Sequence, residues 1–194
     1  MSTPSRKELT HDRILDVAAR AIRRAGYDGV GLADLMKEAG LTHGGFYAHF
    51  ASRKALLAEA TQRAGQDTVA VLADRLREGQ AQGMSPFSAL VNTYLGDAHL
   101  ENAESGCVVA ALASEIPRQD EEVARAARTR VLGLVELVRR SLPPGTDAGQ
   151  AQVVAATMVG ALQLARAPGQ GRQGFAGQRA GRPYPPVRNL TCRP

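Results

Sequence analysis

Apolar residues recur at intervals of three and four along much of this 194-residue chain, which is the spacing of one face of an α-helix. The clearest run ends before Gly26, which stands where a glycine commonly terminates a helix. Its apolar positions are Ile14, Val17, Ala18, Ala21, Ile22 and Ala25. Frequent Ala and Leu and an aromatic content of only 4% also favour helix. The sequence therefore predicts an all-α fold.

Three short helices are expected at the N-terminal end. Their predicted spans are 11–25, 32–39 and 42–50. Gly31 is a mediocre cap for the second helix, whereas Thr42 is expected to cap the third with its hydroxyl. Ser52 is expected to cap a fourth helix that begins at Arg53. This layout is that of a helix-turn-helix, in which the third helix enters the major groove of DNA.

Longer helices are expected in the rest of the chain. Their predicted spans are 56 to about 80, 86–100, 107–116, 120–142 and 147–167. The segment 107–116 (CVVAALASEI) is apolar nearly all round, which predicts a buried helix. Residues 101–106 before it form a polar connection.

The net charge of +5 is not spread evenly. Residues 167–194 hold five of the 24 Lys and Arg residues and no acid, so residues 1–166 carry 19 basic and 19 acidic groups. The overall charge is therefore a weak argument for a nucleic-acid partner. Any such partner has to be inferred from a local arrangement of residues.

Several classes of protein are not indicated. There is no run of about 18 apolar residues and no apolar N-terminal stretch, so a cytoplasmic location without membrane span or signal peptide is expected. Cys107 and Cys192 lie far apart and are expected to be free thiols. His43 and His49 are six residues apart, whereas helical metal ligands usually sit about four apart. With no nucleophile, phosphate-loop or dinucleotide pattern either, we expect no metal, cofactor or enzymatic activity.

The composition changes abruptly after Ala167. The last 28 residues hold five glycines and five prolines and lack periodicity, so residues 168–194 are expected to be a disordered basic tail. A reading-frame change in a GC-rich gene is the favoured explanation. A bland basic linker or tag-like extension and a nonspecific DNA-binding arm are the alternatives. Resequencing beyond the Ala167 codon separates them, because an unambiguous in-frame tail excludes the frame change.

The stretch GLTHGGFYAHFASRKALL, residues 40–57, has the most distinctive pattern in the chain. On a helix from Thr42, Phe46 and Phe50 are four residues apart and share a face, which predicts that both rings belong to the core. The outer surface is then expected to carry His43, Gly44, Gly45, Tyr47 and His49. Glycine there lets the backbone come close to a ligand. The alternative is that the exposed residues are the ordinary surface of a small helical bundle.

This stretch resembles the N-terminal DNA-binding domain of the TetR/AcrR family, whose motif reads roughly G-[VL]-[ST]-x-G-x-[LF]-Y-x-[HY]-F-x-[SN]-[KR]-x-x-L. The similarity runs from Leu9 to Leu57, about a quarter of the chain. The DNA contacts that it implies by position are Thr42, His43 and Gly45 for base edges or adjacent phosphates, Tyr47 and His49 for phosphates, and Arg53 or Lys54 for the DNA backbone. Gly44 matches the glycine of the motif. Gly45 offers no side chain for reading bases, and Gly31 stands where Ser or Thr is usual.

The resemblance also implies an organisation for the whole chain. Residues 1–52 would be the DNA-binding domain, 53–167 a helical ligand-binding and dimerisation domain, and 168–194 the tail. Helices near 120–142 and 147–167 correspond to the pair that joins two copies in a homodimer. The implied function is repression at a double-stranded DNA operator, relieved by a small-molecule inducer. A ligand-binding or scaffold protein that has kept the fold without specific DNA binding is the alternative.

The segment SGCVVAALASEI is similar to a subgroup of the family in which this region lines the inducer cavity. Cys107 is its most reactive residue type, since a thiol at the start of a helix can react with electrophiles or oxidants. The alternative, and the commoner fate of a free cysteine, is a small buried hydrophobe. Tyr94, His99 and Met84 are also expected to face the cavity, although core packing explains each of them as well.

Overall fold

The computed structural model describes residues 3–167, except for the side chain of Ala148, and every regular element in that range is a helix. Its α-helices are α1 (Arg6–Ala25), α2 (Leu32–Glu38), α3 (Arg53–Ala81), α4 (Pro86–Tyr94), α5 (Asp97–Glu101), α6 (Val108–Leu112), α7 (Glu121–Ser141) and α8 (Ala148–Arg166). Two 3₁₀ helices span His43–Ala48 and Ile116–Arg118. The all-α prediction is confirmed. The expected tail, with Cys192 and the suggested frame change, lies outside the described residues.

Helix α1 begins five residues earlier than predicted. Ser5 and Glu8 form a capping box, in which the Glu8 N–H donates to Ser5 Oγ at 3.3 Å and the Ser5 N–H donates to Glu8 Oε2 at 2.6 Å. Periodicity missed this turn because its side chains are mostly polar and its one leucine, Leu9, is exposed. The predicted end is confirmed, since the Gly26 N–H donates to the Ile22 carbonyl at 2.9 Å.

The third helix is a 3₁₀ helix and not the α-helix expected over 42–50. The Gly45 N–H donates to the Thr42 carbonyl at 3.1 Å, so it is not available to the Thr42 hydroxyl. The prediction that this hydroxyl caps the helix is therefore wrong. Two adjacent glycines weaken the α-helix here. We call α1, α2 and this first 3₁₀ helix the head.

Helix α3 connects the head to the rest of the molecule over 29 residues. Its predicted cap is confirmed, because the Ala55 N–H donates to Ser52 Oγ at 3.1 Å. It packs mainly against α1 on the head side and against α7 beyond it. Helix α3 is thus shared between the head and the body. The domain boundary at residue 52 stays a prediction.

The middle of the chain is more broken than predicted. The single helix expected over 86–100 is two helices, because α4 ends before Leu95 and α5 begins after Gly96. A Cβ on Gly96 would lie 2.7 Å from the Asn92 carbonyl oxygen, so this bend suits glycine. The helix expected over 107–116 shortens to α6, although its burial is confirmed from Cys107 to Ala110. The long helices α7 and α8 match their predicted spans.

The core runs continuously from the head into the body. It includes Ile14, Val17, Leu35 and Met36 together with Phe46 and Phe50 in the head. Among residues 3–167, none of the helices is both long and apolar enough to cross a membrane.

Candidate nucleic-acid interface and ligand cavity

The first 3₁₀ helix presents a buried face and an exposed face. Phe46 is 0% exposed and Phe50 2%, and their rings stack with centroids 5.6 Å apart. Tyr47 is 70% exposed and meets the Phe46 ring edge-on at 5.1 Å. The predicted division into two core rings and one surface ring is confirmed. A phenol held on a packed ring at the surface can donate to a phosphate oxygen.

The backbone beside Tyr47 is open. Thr42, His43 and Gly44 are exposed, and Gly45 is partly exposed. A Cβ added to Gly44 would have no neighbour within 4 Å, and one on Gly45 would meet only ordinary contacts, the nearest at 3.9 Å. Packing inside the protein therefore does not require glycine at either position. Their effect is to leave the surface flat enough for another molecule to reach the backbone.

His49 is less exposed than expected. Its ring is half-buried, with its centroid 6.3 Å from that of His11, and its Nδ1 is buried without a hydrogen-bond partner. Burial lowers its pKa, with smaller contributions from the charges of His11 and Lys7. His11 stacks on Phe50 at 4.4 Å and hydrogen-bonds to the Glu59 carboxylate at 2.9 Å. His49 therefore sits at the edge of the exposed face.

The two cations at the start of α3 have partners within the protein. Arg53 donates through Nη2 to the Tyr27 carbonyl at 2.5 Å and to the Val30 carbonyl at 3.3 Å, which fixes the connection between α1 and α2. Lys54 donates to Asp120 Oδ1 at 2.8 Å, but both side chains are more than half exposed. An exposed pair contributes little stability, so Lys54 remains free to exchange partners. Arg53 instead positions the head, a role that the sequence pattern did not reveal.

A cavity of about 510 Å³ lies between α3, α4, α5 and the loop 102–106. Its lining includes Thr68, Leu72, Met84, Asn92, His99 and Gly106. Of the four residues predicted to face a cavity, Met84 and His99 do so. Tyr94 and Cys107 do not line it and are buried, at 0% and 3% exposure. Both face the core because α4 turns Tyr94 inward and Cys107 precedes the buried helix α6.

His99 separates the cavity from these two buried residues. The Cys107 N–H donates to His99 Nε2 at 2.8 Å, so Nε2 is the acceptor and Nδ1 carries the hydrogen that is donated to the Tyr94 carbonyl at 2.7 Å. The Tyr94 hydroxyl is buried without a hydrogen-bond partner, and burial raises its pKa, with a further contribution from the neighbouring Cys107. A molecule that displaces His99 would therefore disturb Tyr94 and Cys107 as well.

Acidification is expected to destabilise the protein through His99. Burial lowers the pKa of His99 below its ordinary value of 6.5, so the folded state binds this proton less readily than the unfolded state does. The stabilisation is present above about pH 6.5 and is lost as the pH falls, when the unfolded chain takes up the proton. Urea unfolding at about pH 7.5 and about pH 5.5 should show a smaller difference for His99→Gln than for wild type. His43→Gln, at an exposed position away from His99, is the control; equal pH dependence in His99→Gln and wild type would contradict the assignment.

Arg166, at the end of α8, is a further residue that sequence reasoning missed. It donates to the carbonyls of His99 and Leu100, the latter at 3.2 Å, and so fixes the cavity wall to the last long helix. A Cβ on Gly106 would lie 2.9 Å from both Arg166 Nη2 and the His99 ring. Arg166 and Leu100 are 66 residues apart in the sequence, so no local sequence pattern predicts this contact.

Comparison with known proteins links this geometry to DNA-binding regulators. The family described as "Bacterial regulatory proteins, tetR family" matches residues 14–60. An HTH-type transcriptional regulator of Mycobacterium tuberculosis is 29% identical over 166 residues, covering 80% of this chain and 83% of that protein. The HTH-type transcriptional repressor NemR of Escherichia coli is 24% identical over 138 residues, covering 71% of this chain and 69% of NemR.

Solved structures agree in fold. A TetR-family transcriptional regulator from Agrobacterium tumefaciens has a TM-score of 0.67 at 27% identity, covering 86% of this chain and 92% of that one. The reduced form of E. coli NemR has a TM-score of 0.68 at 22% identity, covering 82% of this chain and 88% of that one.

Proposed function

This chain belongs to the TetR family of bacterial transcriptional regulators, and from that premise we propose that it is a repressor. The proposed repressor binds a palindromic operator as a homodimer and is released from it by a small-molecule or electrophile inducer. Members of the family regulate transcription and are not enzymes. Two heads related by a two-fold axis would sit about 34–36 Å apart, one turn of the DNA helix.

The observation that carries the proposal is the exposed face of the first 3₁₀ helix. Its aromatic core residues fix the helix from below, while the open glycine backbone and the exposed Tyr47 lie above. The proposed contacts are Thr42, His43, Gly44 and Gly45 with base edges or adjacent phosphates, and Tyr47, His49 and Lys54 with the DNA backbone. Arg53 contributes through the loop that it fixes. Because Gly44 and Gly45 carry no side chain, we expect base reading to depend mainly on His43 and Thr42.

Tyr47→Ala is expected to weaken operator binding by more than about tenfold, since a hydrogen bond to a charged phosphate is worth about 1.5–3 kcal/mol and each head of the dimer loses one. The measurement is titration of DNA fragments that flank the protein's own gene, at two salt concentrations, because phosphate contacts make affinity fall steeply with salt. Val69→Ala, at an exposed position of α3 outside both the first 3₁₀ helix and the cavity lining, is the control.

Two outcomes would count against the proposal. Salt-sensitive binding that Tyr47→Ala leaves unchanged, but that removal of residues 168–194 abolishes, would assign the DNA affinity to the basic tail. Absence of binding to any of these fragments would favour a ligand-binding or scaffold protein that has kept the fold.

The outward faces of α7 and α8 support the homodimer. Leu132, Val153 and Leu164 are 69%, 66% and 70% exposed, an unusual density of large apolar side chains in contact with water. A Cβ on Gly133 or Gly160 would have no neighbour within 4 Å, so these positions also face outward and permit close approach. Two copies that pair through these faces would form a four-helix interface.

Leu132→Glu is expected to weaken dimerisation at least tenfold, because a symmetric interface would bury the new charge twice. Sedimentation at a series of protein concentrations measures the dissociation constant. Val69→Glu, on an exposed position of α3 outside the proposed interface, serves as the matched control. A dimer that is equally weakened by both changes, or by neither, would place the interface elsewhere.

The cavity is the proposed effector site, with Met84 and His99 as its predicted contacts. Because Cys107 and Tyr94 are buried, we interpret them as core residues. Both are hydrogen-bonded to His99 through their backbone, so a displacement of His99 would affect them. An electrophile would have to reach the Cys107 thiol past the loop 102–106. The two routes of release are separated by Cys107→Ser, which would abolish release by an electrophile and preserve release by a ligand in the cavity.

A further inference from the structure

The loop 102–106 has one side in the cavity and the other on the head. Asn102, Ser105 and Gly106 line the cavity. On the opposite side, Arg23 of α1 donates through Nη1 to the Gly106 carbonyl at 3.4 Å. Its neighbour Arg24 donates through Nη1 to the Glu104 carboxylate, also at 3.4 Å. Two consecutive residues in the last turn of α1 thus hold one wall of the cavity.

Arg23 is the stronger of these two connections. Its side chain is 2% exposed, and it also donates to the Ala64 carbonyl at 3.1 Å and to Asp67 Oδ2 at 3.3 Å. A buried guanidinium that loses an acceptor cannot turn to water for a replacement. Movement of the Gly106 carbonyl therefore forces Arg23, and α1 with it, to adjust. Arg24 is about half exposed and can exchange its partner for water at little cost.

Gly106 also lies directly at the cavity, since it is one of the lining residues. Thr68 Oγ1 lies 3.1 Å from the Gly106 carbonyl and 2.8 Å from the Ala64 carbonyl, so its one hydrogen is shared between the two acceptors, and Thr68 itself lines the cavity. His99 and Arg166 fill the space beside Gly106, because a Cβ added to this glycine would lie only 2.9 Å from atoms of both side chains. Gly106 therefore has no room to move toward His99 and Arg166 unless one of these side chains moves with it.

A second connection joins the same part of the chain to the head. The Tyr27 N–H, just beyond the end of α1, donates to Glu115 Oε2 at 2.8 Å. The segment from Gly106 to Glu115, which contains α6, is therefore bonded at both ends to residues 23–27. A shift of this segment acts on α1 at two points, so it rotates or translates the helix instead of deforming one contact.

We propose that the loop 102–106 transmits occupancy of the cavity to the head, and that Arg23 is the positioning residue that carries it. This inference rests on the proposed function and adds the route of its regulation. A ligand that binds better when Gly106 is displaced also favours the altered position of α1, and lowers operator affinity by the same factor. Conversely, bound operator holds the loop in its present position.

The test replaces the unidentified inducer by a covalent probe in the cavity wall. Ser105→Cys is introduced with Cys107→Ala and Cys192→Ala and labelled with N-phenylmaleimide, since Ser105 is exposed to the cavity. Labelling is expected to raise amide hydrogen exchange in residues 20–30 and to weaken operator binding about tenfold, within the usual range of about 5–150-fold for coupled sites. With Arg23→Met added, both effects should largely disappear. Gln80→Cys, exposed on α3 outside the cavity, receives the same label as a control.

The two readouts keep the inference separate from the function on which it rests. Loss of specific DNA binding in the unlabelled protein would overturn the proposed function, while exchange in residues 20–30 would still decide on transmission. Unchanged exchange after labelling, or an equal change with and without Arg23→Met, would overturn the inference. If Arg23→Met does not fold, Arg23→Lys takes its place, because it keeps the positive charge but has a single terminal nitrogen that cannot bond to Gly106, Ala64 and Asp67 in the same arrangement. Full transmission in that variant would likewise overturn the proposed route.

Discussion

Phe46→Ala is expected to lower the free energy of unfolding by about 3–5 kcal/mol, the usual cost of truncating a fully buried aromatic ring. Phe46 is 0% exposed, stacks on Phe50 and supports Tyr47 from below. The head is small, so the cavity left by the ring cannot be filled by distant side chains. Operator binding should be lost together with the structure of the first 3₁₀ helix.

Tyr47→Ala is the matched control, because it removes an aromatic ring from the next position of the same helix. Tyr47 is 70% exposed, so its truncation should change stability by no more than about 0.5 kcal/mol while still weakening DNA binding. Urea unfolding at one fixed protein concentration measures both variants, since the stability of a dimer depends on concentration. Equal destabilisation by the two changes would contradict the division into buried and exposed faces.

The contrast between these neighbours was predictable from sequence because it depends on local spacing. Phe46 and Phe50 are four residues apart, and the Phe50 N–H donates to the Phe46 carbonyl at 3.1 Å, an α-type bond that brings both rings to the same side. The prediction of the helix type failed at the same place. Spacing does not reveal that the Gly45 N–H bonds to the Thr42 carbonyl and leaves the Thr42 hydroxyl without its expected partner.

Long-range contacts account for most of what the sequence could not reveal. Arg53 or Lys54 was expected at the DNA backbone from the family resemblance, yet Arg53 bonds to the carbonyls of Tyr27 and Val30. Arg23 was not singled out by the sequence analysis, because its partners lie 41 to 83 residues away. Hydrophobic periodicity predicts the face of the helix on which a residue lies. It does not predict which distant loop packs against that face.

The cavity shows the same limit. Met84, Tyr94, His99 and Cys107 were chosen from chemistry and family resemblance, and only Met84 and His99 line it. The break at Gly96 decides this, because it ends α4 after Tyr94 and starts the separate helix that carries His99. The predicted continuous helix over 86–100 would have carried both Tyr94 and His99 on one helix axis. The two residues that the break separates are nevertheless connected by the His99 hydrogen bond to the Tyr94 carbonyl.

The second large effect is expected at the end of α1, where Gly26→Ala should cost about 2–4 kcal/mol. Gly26 has φ 76° and ψ 175°, a region that is essentially restricted to glycine and costs other residues about 1–3 kcal/mol. A Cβ there would also lie 2.5 Å from Glu115 Oε1. The carboxylate would have to move and release the Tyr27 N–H, a hydrogen bond worth about 1 kcal/mol.

Gly83→Ala separates the two contributions, because Gly83 also has a positive φ, of 85°, but nothing lies within 4 Å of its added Cβ. It should cost only about 1–2 kcal/mol, the conformational part. A double-mutant cycle with Glu115→Ala completes the argument, since removal of the carboxylate removes the collision and should make Gly26→Ala less costly by about 1 kcal/mol. If Gly26→Ala costs the same with and without Glu115, the collision has no energetic weight and only the backbone conformation requires glycine. If it costs less, the junction between α1 and the segment 106–115 is tightly packed at the hydrogen bond from Tyr27 to Glu115, one of the two connections through which the segment acts on α1.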